Sequence, residues 1–198
     1  MTTGGVRNDD GSVRSQKRWI QYTSMRNFTL GVVATLVFFA LAGYAAVTTG
    51  SVPANADSPP SAIEKWAARR SLHNLLQREG PKLTIPIANT DENIIAGIHL
   101  YAENCAVCHG ASDARPSAIA KGLYQHAPQL AKNGVEDDPE GKIFWQAKHG
   151  IRLTGMPAFG ASYSDDELWK VTLFLKHMDA LTPRQQAVWK AVPPSAKT

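Results

Sequence analysis

The pentapeptide CAVCH at residues 105–109 constrains this chain more than any other feature. It contains both cysteines of the 198-residue sequence and places a histidine directly after the second one. This C-x-x-C-H spacing is the form in which a haem is attached covalently to a protein. Two thiols at that spacing reach the two vinyl groups of one porphyrin, while the imidazole of His109 turns inward to the iron. The motif therefore predicts covalent haem attachment at Cys105 and Cys108.

Three other uses of a cysteine pair stay open at this point. A thioredoxin-like redox motif would lie near a β-α-β pattern, whereas the flanks of residues 105–109 favour helices. A structural zinc site needs four ligands, and the fourth would have to come from a distant histidine. A disulfide is possible outside the cytosol, but it would leave His109 without a role. The haem interpretation is the one that uses all three residues of the motif.

The distribution of charge argues against a nucleic-acid-binding protein. The chain has a formal net charge of +4, but residues 91–198 contain 11 Lys and Arg against 12 Asp and Glu. Nucleic-acid-binding domains concentrate their basic residues on the folded module. Here the positive excess lies N-terminal to residue 91, and residues 1–26 alone have five basic and two acidic side chains. We interpret residues 1–26 as a disordered basic tail.

An uncharged segment of 20 residues follows this tail, from Phe28 to Val47. As a helix it would be about 30 Å long, which is the hydrocarbon thickness of a bilayer. We therefore predict a transmembrane anchor at residues 27–49. The alternative is a cleaved signal peptide, because Ala-Asn-Ala at residues 54–56 resembles a cleavage site. The apolar core of a signal peptide is usually shorter, about 7–15 residues.

The charges on either side of the span predict its orientation. Five Lys and Arg precede it and none follows before Lys65, so the positive-inside rule places the N-terminal tail in the cytoplasm. We expect a single-pass protein of the inner (cytoplasmic) membrane, with its haem domain periplasmic or otherwise extracytoplasmic. Residues 50–60 are small, polar and proline-containing, which predicts a linker.

Caps and apolar spacing predict helices throughout the rest of the chain. Ser61 and Glu64 form an S-x-x-E capping box, so residues 61–90 are assigned to an amphipathic helix and an extended lead-in. Its apolar residues are expected to pack on the haem domain or on a partner. They are Ile63, Trp66, Leu72, Leu75 and Leu76.

The predicted haem domain covers residues 91–180. Its first helix begins at Thr90 or Asp91 and runs into the CAVCH motif, and a second begins at Asp138-Pro139 and ends at Gly150. Between them, residues 110–133 read as loop with one helical turn. A third helix begins at a second capping box of Ser164 and Glu167. Residues 181–198 are predicted as a short C-terminal helix and tail.

Met156 is the predicted second axial ligand of the iron. It lies in the sequence TGMP at residues 154–157, where glycine and proline fix an irregular backbone that can hold a thioether. The other methionines are worse candidates. Met1 and Met25 precede the membrane span, and Met178 lies on a helix face that the core needs.

Other residues are weaker candidates for binding the iron or the haem propionates. His149 would be the sixth ligand in a bis-histidine variant, although a role at the helix end or on the surface is the better interpretation. Aromatic and basic groups that would contact haem propionates are Tyr124, His126, Trp145 and Arg152. Each of them alone is more typical of ordinary core or surface.

CAVCHG, TGMPAFG and the C-terminal amphipathic helix together resemble the class I cytochromes c, over residues 91–178. The resemblance implies an all-α class I cytochrome c fold wrapped around one covalent haem c per chain, here preceded by a single N-terminal transmembrane helix. It implies thioether links at Cys105 and Cys108, with His109 as the proximal ligand and Met156 as the distal ligand.

The same resemblance implies two contacts outside the ligand set. Gly97 and Tyr101 match the small and aromatic pair with which the family's first helix crosses its last helix, at Phe174. Pro128 resembles the proline whose carbonyl orients the proximal imidazole, and Pro116 competes with it.

The expected function is electron transfer by a mono-haem cytochrome in a membrane electron-transport chain. No catalytic residue is expected, and the partners would be an electron donor and an electron acceptor protein. One alternative is a cytochrome subunit of a separately encoded dehydrogenase or oxidase. The other is a haem sensor or peroxidase, which needs an open sixth site and is opposed by Met156.

Overall fold

The computed structural model describes the backbone of residues 10–193, and the side chains of residues 25–193 apart from Pro81. Within that range the chain is helical and contains no strand, in agreement with the predicted all-α class. Two short 3₁₀ segments lie at Gly80–Lys82 and Phe159–Ala161. The α-helices are α1 (Asp10–Thr48), α2 (Ala62–Glu79), α3 (Asp91–Asn104), α4 (Ala106–His109), α5 (Ala118–Gly122), α6 (Glu140–His149), α7 (Asp165–Lys176) and α8 (Pro183–Ala191).

The chain forms two compact units that divide between Ala54 and Asn55. The first contains α1, whose apolar segment Met25–Thr48 is long enough to cross a membrane. Its large apolar side chains, such as Phe28 and Phe38, are exposed. An exposed, continuous apolar helix of this length is typical of a membrane anchor.

Helix α1 is longer than the sequence predicted. It begins at Asp10, so the prediction of a disordered tail over residues 1–26 is wrong for residues 10–26, and residues 1–9 lie outside the described chain. Propagation of an existing helix needs no new nucleation. No proline interrupts residues 10–48, and the helix of the apolar segment therefore extends back into the basic segment.

Helix α2 begins where its cap was predicted. The Ser61 side chain accepts a hydrogen bond from the Glu64 N–H at 3.2 Å. Its predicted apolar face is only partly used, because Leu76 is buried and Leu72 is half-buried, but Trp66 is exposed. The C-terminal half of α2 therefore packs on the domain through its contacts with α6.

The core of the second unit is the crossing of α3 and α7. Ile94, Ile98 and Tyr101 of α3 are buried there, and Phe174 of α7 is completely buried. A Cβ atom on Gly97 would lie 2.1 Å from the Lys170 carbonyl oxygen, so the two backbones touch at this glycine. Only a residue without a side chain permits that approach.

Helix α8 completes the crossing with Trp189. The Trp189 ring meets Tyr101 and Phe174 edge to face, with ring centroids 5.5 Å and 5.1 Å apart, and Tyr101 meets Phe174 in the same way at 5.4 Å. Edge-to-face pairs of this kind add to the energy of burial. The capping boxes at the starts of α7 and α8, which use Ser164 and Thr182, are both complete.

Candidate haem-attachment site

The CAVCH motif occupies the junction between α3 and α4. Cys105 lies between the two helices, as the C-cap of α3 and the N-cap of α4, and α4 ends at His109. The Cys108 and His109 N–H groups both donate to the Cys105 carbonyl oxygen, at 3.0 and 2.8 Å. This single tight turn brings both sulfur atoms and the imidazole into one small region.

The two cysteines are free thiols, not a disulfide. Burial raises the pKa of the Cys105 thiol to about 12, and it also raises the pKa of Cys108. Both groups are therefore neutral in the chain without its cofactor. Among the described residues, no cluster of three or more His, Cys, Asp and Glu is placed to hold a metal ion. The disulfide, zinc and thioredoxin interpretations thus have no structural support.

His109 is oriented by a backbone carbonyl. Its Nδ1 atom lies 3.0 Å from the Pro128 oxygen, and because a carbonyl can only accept, Nδ1 carries the proton. The lone pair of the neutral ring is then on Nε2, which is free to bind a metal. Burial lowers the pKa of His109, against the opposing effect of the Pro128 bond, and so favours the neutral ring.

Residues 128–130, which we call the proximal clamp, hold the motif with two further hydrogen bonds. The Leu130 N–H donates to the His109 oxygen at 3.0 Å. The Gln129 side-chain amide donates to the Cys108 oxygen, also at 3.0 Å. Pro128 lies outside any helix, and these bonds fix its carbonyl opposite the imidazole. The sequence pointed to Pro128 and not to Gln129, because a glutamine in a loop has no periodic or motif signal.

Gly110 provides the space that this clamp needs. It has φ of 79°, a conformation that favours glycine. A Cβ atom at this position would lie 2.4 Å from the Gln129 Oε1 atom. The Gly110 oxygen accepts a buried hydrogen bond of 2.8 Å from the Tyr101 hydroxyl. One buried tyrosine thus links the helix crossing to the haem motif.

Met156 lies in the irregular segment between α6 and the 3₁₀ turn and is half-buried. Gly150, with φ of 65°, lets the chain turn back so that the Ile151 N–H donates to the Met156 oxygen at 3.2 Å. The Met156 N–H in turn donates to the Thr154 hydroxyl at 3.1 Å. Residues 150–157, which we call the methionine loop, therefore have a defined backbone conformation.

The methionine loop contacts the loop that contains the proximal clamp. A Cβ atom on Gly155 would lie 2.4 Å from a methyl group of Leu123, so the leucine lies directly over the glycine before Met156. Leu123 and Pro128 belong to the same segment, residues 110–133. The two predicted ligand-bearing regions are thus joined by packing through Leu123.

The weaker candidates have other contacts. His149 is exposed at the end of α6, and its ring lies 4.6 Å from the Trp145 ring, centroid to centroid. The Tyr124 hydroxyl donates to the Glu64 carboxylate at 2.5 Å, which raises the pKa of Tyr124 to about 12. His126 and Arg152 are exposed. Met178 packs against the core, as predicted.

Comparison with known proteins identifies the kind of domain that contains this site. Residues 92–175 match the family model described as cytochrome c oxidase, cbb3-type, subunit III. No curated protein and no solved structure matches the chain. The matched stretch runs from the start of α3 to the end of α7 and contains both the CAVCH motif and the methionine loop. It is a c-type cytochrome domain, and such domains bind haem c covalently and transfer electrons.

Proposed function

We propose that this c-type cytochrome domain holds one haem through thioether bonds from Cys105 and Cys108, with His109 and Met156 as the axial ligands. The observation that carries the proposal is the hydrogen bond between His109 Nδ1 and the Pro128 oxygen. It fixes the tautomer that leaves Nε2 as the metal-binding atom, in the same turn as two neutral, unpaired thiols. The donor set of this site thus suits haem c.

Met156 is proposed as the sixth ligand by position and by the roles of the other methionines. Met25 lies in α1, and Met178 packs against the core of the second unit. Met156 is half-buried in a loop whose backbone is fixed by four local hydrogen bonds. A thioether in such a loop can stay on the iron in both oxidation states.

The bound haem would supply one-electron chemistry, and the chain's part is to hold the ligands still. The proximal clamp prevents rotation of the His109 ring, and the methionine loop restricts the Met156 backbone. Ligation by histidine and methionine raises the reduction potential, because thioether sulfur favours the ferrous state. We therefore propose an electron carrier whose iron cycles without ligand exchange.

A second candidate is a fixed subunit of an oxidase complex. The matched family is described as a subunit of a cytochrome c oxidase, and α1 provides a membrane span that would keep the domain beside such a complex. Isolation from native membranes in mild detergent separates the two functions. A stoichiometric complex with a catalytic oxidase subunit favours the fixed subunit, and a monomer that exchanges electrons with added partners favours the free carrier.

The proposed topology places residues 1–26 in the cytoplasm and the haem domain on the opposite side, for the charge reasons given above. Protease added to intact spheroplasts should then digest the haem domain, and a high-salt wash should leave the full-length protein in the membrane. A mature N-terminus at Asp57, measured by mass spectrometry, would instead mean that the span is a cleaved signal peptide.

Covalent attachment is tested on the denatured protein. Haem should stay with the chain in denaturing electrophoresis, where it can be stained by its peroxidase activity. The Cys105→Ser and Cys108→Ser variants should each lose one thioether bond, and the double variant should lose the stain. Haem that leaves the intact chain on denaturation would contradict the proposed links.

The sixth ligand is tested by substitution of Met156. Met156→Ala should abolish the weak sulfur-to-iron charge-transfer band of the ferric protein, lower its reduction potential and permit rapid binding of carbon monoxide. His149→Ala is the matched control and should leave all three properties unchanged. If the wild-type protein binds carbon monoxide at once, or if His149→Ala removes the sixth ligand, the electron-carrier proposal fails. A haem sensor or peroxidase is then the better interpretation of the protein.

A further inference from the structure

The N-terminal half of α2 has an apolar surface that remains exposed in the second unit. All residues from 61 to 70 are exposed. Ile63 and Trp66 are the largest apolar side chains among them, at 80% and 69% exposure. Together with Ala67 and Arg70 they occupy positions i, i+3, i+4 and i+7 of a helix, which share one face. We call these four residues the outer face of α2.

The outer face is not needed for the packing of α2 on its own domain. The opposite, C-terminal part of the helix provides that packing through Leu76, which is buried, and through Leu72 and Leu75. At the N-terminal end, the Glu64 carboxylate accepts the hydrogen bond from Tyr124. The helix is thus held at both ends while Ile63 and Trp66 point to the outside.

Basic side chains accompany this apolar face. Arg70 belongs to the outer face, and Arg69 lies beside Trp66 at its edge. Lys65 lies on the opposite side of the helix, and Glu64 is the one acidic residue in these first three turns. An exposed tryptophan beside basic side chains is typical of a helix that lies in the interface of a membrane. Each basic residue near an anionic lipid surface strengthens binding by about fivefold.

We propose that the outer face of α2 binds the surface of the membrane in which α1 is anchored. Ile63 and Trp66 would enter the head-group region, while Arg69 and Arg70 would contact the phosphates of anionic lipids. Residues 49–61 connect α1 to α2, and their fully extended length of roughly 45 Å keeps the helix within reach of the surface. The proposal depends on the anchor and is independent of the haem ligands.

A lipid surface suits this face better than a protein partner. Two large apolar side chains fall well short of the ~800 Å² that each side of a standard protein interface buries. Binding at a bilayer surface needs no complementary shape, and its strength follows apolar area and charge. The tether also makes the contact intramolecular, which raises the effective concentration of the surface. The contact would fix which side of the electron-transfer domain faces away from the bilayer.

The test uses the full-length haem protein in nanodiscs of neutral lipid or of neutral lipid mixed with an anionic phospholipid. A nitroxide label on Ala67→Cys reports whether the outer face is immersed in lipid. A label on Gln186→Cys, an exposed site in α8, is the control that should stay in water. Accessibility to oxygen against a water-soluble nickel complex measures immersion. We expect the label at position 67 to be immersed in anionic nanodiscs and less so in neutral ones, with the label at position 186 in water in both.

Variants separate specific binding from simple tethering. Ile63→Ser with Trp66→Ser should lower the ratio of immersed to free label by more than tenfold. Neutralisation of Arg69 or Arg70 to glutamine should lower it about fivefold each in anionic nanodiscs, whereas Lys65→Gln, on the opposite side of the helix, should have a smaller effect. Ile119→Ser removes an apolar side chain of α5 that is 57% exposed and should change nothing. Amide hydrogen exchange of residues 62–70 gives the same comparison without a label.

Three results would overturn the proposal. The label at position 67 could stay in water in both lipid mixtures, or its immersion could survive the Ile63 and Trp66 substitutions, in which case the outer face does not bind lipid. Shielding that arises only when a purified oxidase is added would assign the face to a protein partner. The absorption spectrum of each variant reports the haem site separately, so failure of this proposal is distinguishable from failure of the ligand assignment.

Discussion

The helix crossing and the haem-site loops of the second unit are held together in different ways. At the crossing of α3, α7 and α8, Tyr101 and Phe174 are completely buried, and a Cβ atom added at Gly97 would overlap the Lys170 carbonyl oxygen. In the loops, His109, Gln129 and Met156 are half-buried and are placed by individual hydrogen bonds to backbone atoms.

This difference indicates how each region responds to substitution. Close packing converts small changes in volume into several kcal/mol, whereas a single hydrogen bond contributes about 1 kcal/mol net. We therefore expect changes at the crossing to act on stability. Changes in the loops should act mainly on the haem spectrum and reduction potential.

The largest effect is expected from Phe174→Ala. Removal of a fully buried ring that contacts both Tyr101 and Trp189 should lower the free energy of unfolding by about 3–5 kcal/mol. Phe159→Ala is the matched control, because the Phe159 ring is only half-buried, and it should lower the free energy of unfolding by less. Urea denaturation of the two variants measures the difference. Equal losses would mean that the aromatic cluster is not the centre of the core.

A smaller but sharper effect is expected at Gly97. Alanine is favoured over glycine in a helix by about 1 kcal/mol, yet a Cβ atom here would overlap the Lys170 oxygen. We expect Gly97→Ala to destabilise the protein by about 1–3 kcal/mol and Gly97→Val by more. Gly122→Ala is the control, because a Cβ atom there meets nothing within 4 Å. Unchanged thermal stability in Gly97→Val would exclude a close crossing.

In the loops, Gln129→Ala should separate stability from site chemistry. Loss of the bond to the Cys108 oxygen should cost about 1 kcal/mol of unfolding free energy. It should also make the Pro128 carbonyl more mobile and so weaken its hydrogen bond with His109 Nδ1. The imidazole would then donate less electron density to the iron, and the reduction potential should rise. Gln186→Ala, on the exposed face of α8, should change neither property. If Gln129→Ala loses stability but keeps its reduction potential, Gln129 contributes only to stability, like the residues of the helix crossing, and does not position the haem site.

The smallest effect concerns the cap of α7 and its dependence on pH. Hydrogen bonds from the Ser164 hydroxyl and N–H lower the pKa of Glu167 from its ordinary value of 4.5. A lowered pKa in the folded state adds stability above pH 4.5, and this stability is lost as the pH falls through the folded-state value. Ser164→Ala should cost about 1 kcal/mol at pH 7.

Urea titrations of wild type and Ser164→Ala at pH 7 and pH 3 test this sign. The difference in stability between the two proteins should shrink at the lower pH, where Glu167 is protonated in both. A difference that grows on acidification would contradict the capping box.

Local sequence signals predicted most helix starts and ends. Thr90 and Ser164 each cap the start of a helix at a predicted position, and Gly150 caps the end of one. These signals succeed because a cap satisfies backbone groups within four residues of itself. The helix from Asp138-Pro139 begins one residue later than expected, at Glu140. The Asp138 carboxylate pairs with Lys142 instead of acting as the cap.

Other features depended on contacts between distant residues. The sequence could not decide between Pro116 and Pro128, and the fold decided for Pro128 by bringing its oxygen to His109. It did not reveal Gln129, the contact of Leu123 with Gly155, or Trp189 at the crossing. Nor did it show that α2 buries Leu76 and leaves Trp66 exposed. Apolar spacing indicates which residues can share a face, but not what that face meets.

The sequence by itself determined the CAVCH motif, the apolar segment long enough to cross a membrane and the capped helices. Each of these depends on residues that are close along the chain and on fixed chemistry or length. The tertiary structure alone decided the orientation of His109, the backbone of the methionine loop and the free face of α2. Those features arise where segments tens of residues apart meet, and their geometry follows from the packing of the whole domain.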